Sequence, residues 1–346
     1  MSSPDPVTAR RGFFWTGIER LDGPWGTVVR APMYVEWEEP EEVTQPFPLV
    51  LVHGGGGQGL DWMQTLDGRA GWSTLLVERG YKVYVVDRPG HGRSSLHPDV
   101  IGPMGAPFPF QAGEAIMRSP TEGPMSHPTA HLHTQWPGTR ADDDPALEAI
   151  VASSGPMPAD LALSQALDQS RGAELLDRIG PAVLVTHSLG GPAGWLIADA
   201  RPDLVKAIVA IEAIGPPFVE RPELGLKLEY GLTAAPLTYD PPVSDPAELG
   251  GKARRLPNLA GIPIAVVSAE ASPFVHFHNE MVAFLEQAGC DVDSMRLADH
   301  GVHGNGHAMM LEANNVEALE PIARWVEATA AAEAMGADSD RGGEAR

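Results

Sequence analysis

Residues 181–202 read "PAVLVTHSLGGPAGWLIADARP", and this stretch decides the fold class of the chain. Its first part, "AVLVTH", is a short apolar run of the kind found in strands that are buried on both faces. Its second part, from "GGPAGW" onward, has the length and composition of a helix. Ser188 stands between the two, and a serine in a strand–turn–helix connection is typical of a nucleophile elbow. The alternative is a serine that only shapes the turn.

The residues around Ser188 favour a catalytic role for this serine, although they depart from the usual pattern at one position. The usual elbow is G-x-S-x-G, and Thr186 stands where its first glycine is expected. Gly190 and Gly191 have no Cβ, so neighbouring backbone can approach closely. The backbone N–H of Leu189 would lie at the start of the helix, where it can stabilise an oxyanion.

Apolar runs and helical segments alternate along most of the chain, which predicts an α/β fold with a mostly parallel central sheet flanked by helices. Four of the predicted strands end in polar residues, at His53, Asp87, Ser188 and Glu212. Because sites in such sheets gather at the carboxyl ends of the strands, we expect these residues near one site.

The length of 346 residues suits one large domain, which we expect to span residues 1–336. Residues 97–160 are rich in Pro, Gly and His without a sustained period, and we interpret them as a cap inserted over the site. A second proline-rich excursion covers residues 215–256, and residues 337–346 are expected to be a frayed polar tail.

Composition excludes several classes of function. The formal net charge of −22 opposes binding to phosphate, so nucleic acid is excluded as a partner. No apolar run reaches the roughly 18 residues of a spanning helix, and the start "MSSPDPVTARRGFFW" lacks a signal-peptide core. We therefore expect a soluble cytoplasmic protein with no membrane partner. The single cysteine, Cys290, excludes an internal disulfide and a cysteine-based zinc site.

The glycine loop "HGGGGQG" at 53–59 follows an early predicted strand. Loops of this kind donate a second N–H group to the oxyanion in lipases and esterases, here from Gly55 or Gly56. The rival interpretation is a phosphate-binding loop. The stretch lacks the lysine and the Ser/Thr of a P-loop, so nucleotide binding is disfavoured.

The stretch "HGVHGNGHAMMLEANN" at 300–315 offers His300, His303 and His307 as bases for Ser188. His307 fits best, because it follows a Gly-Asn-Gly turn and precedes the last helix. A zinc site built from the three histidines is the alternative, although their spacing is not the H-E-x-x-H pattern of a helix.

Two carboxylates could orient that base. Glu212 and Glu270 each end a predicted strand, and the chain order serine, acid, histidine holds for both. Either one could instead cap a turn or pair with a surface arginine, so the residues alone leave the choice open.

Taken together, these motifs resemble the α/β-hydrolase superfamily from about residue 13 to residue 328. More narrowly, the chain is similar to a bacterial esterase family that includes an Alcaligenes esterase and the sulfonylurea-herbicide esterases. The similarity is carried by the following stretches: "MYVEWEEP", "LVHGGGGQGLDWMQTLDGRAGW", "VVDRPGHGRSS", "HTQWPGT", "VTHSLGG", "AIEAIGPPF" and "HGNGHAMMLEANN".

The resemblance implies an α/β-hydrolase fold and selects Glu212 over Glu270 as the acid, with His307 as the base. It also implies oxyanion donors at Gly55 or Gly56 and at Leu189, although this chain has only glycines where relatives differ. A homodimer is a further expectation from the family.

The resulting hypothesis is a serine carboxylesterase that hydrolyses small to medium esters through an acyl-enzyme, without a cofactor or metal. The cap is expected to set substrate choice. His53, Gln135 and Trp136 are predicted pocket residues, although Trp136 could equally anchor the cap. Lactone hydrolysis, C–C bond hydrolysis and a catalytically silent ligand-binding protein are the alternatives.

Overall fold

The elbow at Ser188 lies at the centre of an eight-stranded sheet. The structure is a computed structural model, and it describes residues 8–94, 97–123, 126–222, 225–252 and 254–343. The strands are β1 (Ala9–Thr16), β2 (Glu19–Gly23), β3 (Gly26–Arg30), β4 (Met33–Pro40), β5 (Leu49–Val52), β6 (Val83–Asp87), β7 (Ala182–His187), β8 (Val205–Ile211), β9 (Glu220–Arg221), β10 (Leu226–Lys227), β11 (Pro263–Ser268) and β12 (Asp291–Arg296).

The strand order in the main sheet is β1-β4-β6-β5-β7-β8-β11-β12. The last six strands in this order run parallel to one another, while β4 is antiparallel to both β1 and β6. Every residue of β5 and β7 is buried, which agrees with the apolar runs in their sequences. The predicted mostly parallel sheet is therefore confirmed.

Helices cover both faces of this sheet. They are α1 (Trp72–Glu78), α2 (Pro98–Ile101), α3 (Phe110–Gly113), α4 (Pro145–Ser153), α5 (Leu161–Ile179), α6 (Gly191–Ala200), α7 (His278–Gln287) and α8 (Asn315–Gly343). Within the described ranges, no helix is both long enough and apolar enough to cross a membrane.

The apolar core consists of two layers, one on each face of the sheet. Leu49 and Leu51 of β5 contact the layer to which α1 and α8 contribute. Val50 and Val52 contact the other layer, formed with α5, α6 and α7. This alternation follows from the strand geometry, in which successive side chains point to opposite faces.

The segment 97–160 lies between β6 and α5 and contains short helices rather than irregular chain. The longest is α4, with nine residues; Pro145 begins it, and the Asp144 carboxylate caps it by accepting the Ala146 N–H at 3.0 Å. Helices this short show no sustained hydrophobic period, which explains why the sequence did not predict them.

The expected polar tail is also corrected in part. Helix α8 continues to Gly343, beyond the predicted start of the tail at residue 337, and residues 344–346 lie outside the described part of the chain. Gly336 does not end the helix, because a glycine inside a helix costs only about 1 kcal/mol relative to alanine.

A buried ion pair joins α5 to the end of β6. The Arg88 guanidinium donates to the Asp168 carboxylate through Nε, at 3.1 Å, and through Nη2, at 2.6 Å. Both side chains are almost fully buried. A buried charge that loses its partner is strongly destabilising, so this pair constrains the position of α5 beneath the site.

We therefore expect Asp168→Ala to lower the free energy of unfolding by about 3–5 kcal/mol, since it leaves the Arg88 guanidinium buried without its counter-charge. Urea unfolding followed by circular dichroism measures the change. The matched control is Asp177→Ala, which breaks an exposed pair with Arg201 and should lower the free energy of unfolding far less. Equal losses in the two variants would contradict the role given to the buried pair.

Candidate active site

The Ser188 turn has the strained backbone of an elbow. Ser188 has a φ angle of 54°, in the left-handed region that side chains other than glycine rarely adopt. Its carbonyl oxygen accepts the Ile214 N–H at 3.1 Å, which ties the turn to the segment after β8. A Cβ at Gly190 would lie 2.5 Å from the His53 carbonyl oxygen, so only glycine allows this approach.

The structure also explains the departure at Thr186. A Cβ added at Gly194 of α6 would lie 2.7 Å from Cγ2 of Thr186. In the usual pattern, a glycine in the strand lets the helix pack closely. Here Gly194 of the helix leaves the room that the Thr186 side chain occupies. The threonine hydroxyl donates to the Val209 carbonyl oxygen at 3.4 Å. The elbow therefore forms without the first glycine of the usual pattern.

His307 is buried beside the elbow. Its ring lies 4.5 Å, centroid to centroid, from the ring of His187, the residue directly before Ser188. Nε2 of His187 donates to the His307 carbonyl oxygen at 2.9 Å, and the ring of Phe274 contacts the His307 ring edge to face at 4.6 Å, centroid to centroid. These contacts fix the position of His307 next to the serine turn.

Of the two candidate acids, the structure brings Glu212 to His307. Nδ1 of His307 lies 3.3 Å from Oε2 of Glu212. Glu270 lies elsewhere: it accepts the Gly304 N–H at 2.7 Å and contacts Nδ1 of His303 at 3.2 Å. Glu270 thus holds the loop that precedes His307.

The Glu212 carboxylate is itself held by two donors. Oε1 accepts the Ala269 N–H at 2.7 Å, and Oε2 accepts the hydroxyl of Ser272 in addition to its contact with His307. Glu212 has a φ angle of 49°, so its backbone is strained like that of Ser188. Such strain is typical of positions that the surrounding structure holds for function.

Burial disfavours the charged form of each partner. It raises the pKa of Glu212 to about 8, while the hydrogen bonds from Ser272 and Ala269 act in the opposite direction. It lowers the pKa of His307 to about 3, against an opposing effect of the Glu312 charge. The imidazole is therefore neutral at neutral pH. With Nδ1–H directed at Glu212, its Nε2 is free to accept a proton.

A second buried carboxylate organises the loop that carries His307. Glu312 accepts the Gly306 N–H at 3.0 Å and the Asn305 side-chain amide at 2.9 Å. Its Oε1 also lies 2.9 Å from Nε2 of His133, which belongs to the segment 97–160. Glu312 thus joins the histidine loop to that segment.

The glycine loop lies against the elbow. A Cβ at Gly54 would lie 3.1 Å from the Ser188 Cβ, and one at Gly55 would lie 2.3 Å from the Leu189 side chain. Gly56 has a φ angle of 67°, and its carbonyl oxygen accepts the Gly155 N–H at 2.8 Å. Gly55 therefore faces the serine turn, whereas Gly56 contacts the end of the cap segment.

A cavity that is open to solvent lies at Ser188, with a volume of about 460 Å³ when the open solvent within it is included. Three parts of the chain line it: the glycine loop, the segment 97–160 and the residues after His307. The lining residues are Gly54, Gly55, Gly57, Asp61, Phe108, Met117, Ile150, Ser153, Ser154, His187, Ser188, Ala308, Met310 and Leu311. The segment 97–160 thus forms one wall of the cavity.

The three predicted pocket residues do not line this cavity. His53 is fully buried, where Nε2 accepts the Arg88 N–H and Nδ1 donates to the Gly54 carbonyl oxygen, so it braces the glycine loop. The indole of Trp136 is buried and donates to Asp144 at 2.7 Å, which agrees with the anchoring alternative. The backbone of Gln135 pairs with Gly304 and Ala313.

The histidines after β12 do not gather around one point. His303 contacts Glu270, and His307 contacts Glu212. Among the described residues, no group of three or more His, Cys, Asp or Glu side chains is arranged to hold a metal ion.

The sequence interpretation missed several residues of the site. His187 stands directly before the serine, and Glu312 lies in the quoted "HAMMLEANN", but neither has a local pattern that gives it a role. Ser272 and Asp61 have no local signal either, because their importance depends on a partner or a cavity wall distant in sequence.

Comparisons with known proteins agree with this geometry. A family model described as "alpha/beta hydrolase fold" matches residues 48–230, more than half of the chain. The protein named "Probable secreted lipase phiG", from Fungal sp. (strain ATCC 74256), is 37% identical over 324 residues, covering 85% of each chain.

Among solved structures, one described as a novel bacterial esterase superposes with a TM-score of 0.71 at 23% identity. The match covers 95% of this chain and 99% of that one. The strand order, the elbow at Ser188 and these similarities lead to one conclusion: the chain belongs to the alpha/beta-hydrolase family.

Proposed function

We propose that this protein is a serine carboxylesterase that uses Ser188, His307 and Glu212. The observation that carries the proposal is the left-handed elbow at Ser188, set beside a buried histidine whose Nδ1 faces a carboxylate. The names of the similar proteins, a lipase and an esterase, support ester hydrolysis as the reaction class.

In the first step, Oγ of Ser188 forms a bond to the ester carbonyl carbon while Nε2 of His307 takes the hydroxyl proton. Glu212 stabilises the resulting imidazolium and keeps the ring oriented. When the tetrahedral intermediate collapses, the bond from carbon to the alcohol oxygen breaks. The proton on His307 passes to the departing alcohol, which leaves an acyl-serine.

The negative oxygen of the intermediate requires preorganised donors. We assign these to the backbone N–H groups of Leu189, in the 3-10 turn directly before α6, and of Gly55, which faces the serine turn; Gly56 is the alternative in the same loop. In the second step, His307 removes a proton from water as the water attacks the acyl carbon, and Ser188 is regenerated.

The cavity favours small to medium esters. Phe108, Met117 and Ile150 enclose it from the cap side, and Met310 and Leu311 from the side of the histidine loop. Apolar walls on two sides accommodate a short acyl chain, and a long one would extend beyond them. The triad requires no cofactor.

Two expectations from the sequence stay predictions. The similar fungal protein is named as secreted, which gives no support to a cytoplasmic location for this chain. Homodimerisation likewise rests on the family resemblance alone.

The first test uses p-nitrophenyl esters from acetate to palmitate. We expect kcat/KM to peak at short acyl chains, and Ser188→Ala to lower kcat by about 10⁴-fold or more, because the nucleophile is lost. A serine-reactive phosphonate should label the wild type at Ser188, as seen by mass spectrometry. Full activity in Ser188→Ala would overturn the proposal, and an absence of labelling would favour a silent binding protein.

The second test separates the two acids. Glu212→Gln should lower kcat by about 10²–10⁴-fold, because an amide no longer stabilises the imidazolium and can hold His307 in the wrong tautomer. Glu270→Gln is the matched control and should lower kcat far less, since its carboxylate contacts His303 and the Gly304 N–H. The reverse order of effects would assign the acid to Glu270.

The third test concerns pH. Burial disfavours the charged forms of both His307 and Glu212, so the acid limb of kcat/KM should follow protonation of this coupled pair, in which ionised Glu212 stabilises the imidazolium. The Ser272 hydroxyl bond lowers the pKa of Glu212. Ser272→Ala should therefore raise that pKa and move the limb to higher pH, with activity recovering in alkali.

The control for this shift is Ser268→Ala. Ser268, the last residue of β11, is buried like Ser272, but its hydroxyl has no hydrogen-bond partner within the described ranges. Its removal should leave the limb in place. A Ser272→Ala profile that is lower at every pH but unshifted would contradict the role of the hydroxyl.

A further inference from the structure

Asp61 is an acidic side chain in the wall of the Ser188 cavity. It lies in the short helical turn Gly59–Trp62, directly after the glycine loop. A Cβ at Gly57 would lie 2.3 Å from Oδ2 of Asp61, so the glycine at that position leaves the space that the carboxyl occupies. Asp61 is half-buried, and it faces the same cavity as the proposed nucleophile.

This carboxyl has the capacity for a further hydrogen-bond partner. A carboxylate can accept about four hydrogen bonds, and the backbone of Gln58 provides one that lowers the pKa of Asp61. Other side chains that line the same cavity include Phe108, Met117 and Ile150, which cannot hydrogen-bond. No lysine or arginine belongs to the described lining, so the cavity itself supplies no counter-charge.

The electrostatic environment makes the carboxyl responsive to a cation. Burial raises the pKa of Asp61 to about 7, and the nearby charge of Asp87 acts in the same direction. A cationic group placed beside Asp61 would favour its ionised form. The chain as a whole carries a formal charge of −22, which raises the local concentration of cations rather than anions.

We propose that Asp61 is a specificity-determining residue, which pairs with a protonated amine of an ester substrate while Ser188 attacks the ester carbonyl. This inference rests on the proposed esterase function and narrows it to esters with a protonated amine a few atoms from the scissile bond. A carboxylate in an apolar wall discriminates by charge, because water screens the pair less than it would at an exposed site.

The experiment compares two butyrate esters of nearly equal shape. One is 2-(dimethylamino)ethyl butyrate, which is protonated at pH 8, and the other is its neutral carbon isostere, 3-methylbutyl butyrate. The readout is the ratio of kcat/KM for the cationic ester to kcat/KM for the neutral one. For the wild type at pH 8 we expect a ratio of about 10 or more, the size of effect that a partly desolvated charge pair produces.

Asp61→Asn should bring this ratio close to one, because the substituted side chain carries no charge. The amide oxygen of the asparagine can still accept the hydrogen bond from Gln58. The control Asp143→Asn removes one exposed acidic charge from the segment 97–160 and should leave the ratio unchanged. In the wild type, the ratio should also rise between pH 6 and pH 8 as Asp61 ionises, a readout that does not depend on a folded variant.

Three outcomes would overturn the proposal: a wild-type ratio near one at pH 8, a ratio that does not change with pH, or an Asp61→Asn variant that loses both esters equally. The last result would mean that Asp61 only supports the glycine loop. Ser188→Ala distinguishes this failure from that of the proposed function. If it still hydrolyses the neutral ester, the esterase mechanism itself is wrong.

Discussion

The close approach of backbone at the Ser188 turn is the constraint on which the site depends. The chain must leave β7 and enter α6 within a few residues. Gly190 permits this because it has no Cβ, and a Cβ there would collide with the His53 carbonyl oxygen. The strain at Ser188 is compensated by the fully buried strand β7 that it follows and by β5 beside it. The rigid sheet therefore supplies the position of the serine, and loops supply its partners.

Buried polar groups then position those partners. His307 is not held by one contact: Glu212 fixes its ring, His187 fixes its carbonyl group, and Glu312 fixes the two residues before it. Each carboxylate is itself paired with N–H or O–H donors, as buried acceptors must be. These bonds link four segments of the chain: the elbow, the end of β8, the segment after β11 and the histidine loop. A change in one segment therefore alters the position of His307.

The sequence predicted features that have a local cause and missed those that depend on the assembled fold. Apolar runs and glycine turns around Ser188 and Gly55 predicted the sheet, the elbow and the loop beside it. Glu212 and Glu270 both follow buried strands, and only the order of β8 and β11 in the sheet places one of them at His307. The sequence left Trp136 open as a pocket wall or an anchor of the cap, and its bond to Asp144 agrees with the anchor.

The sequence separation of these contacts has a consequence for how the protein is made. His307 lies 95 positions after Glu212, and Glu312 lies 179 positions after His133. Long closures cost little stability, since their entropy grows only with the logarithm of length, but non-local contacts form late. During synthesis from the N-terminus, the elbow and the glycine loop emerge well before His307. The nascent chain thus carries the proposed nucleophile before the proposed base, and we expect the site to be complete only when the C-terminal segment docks.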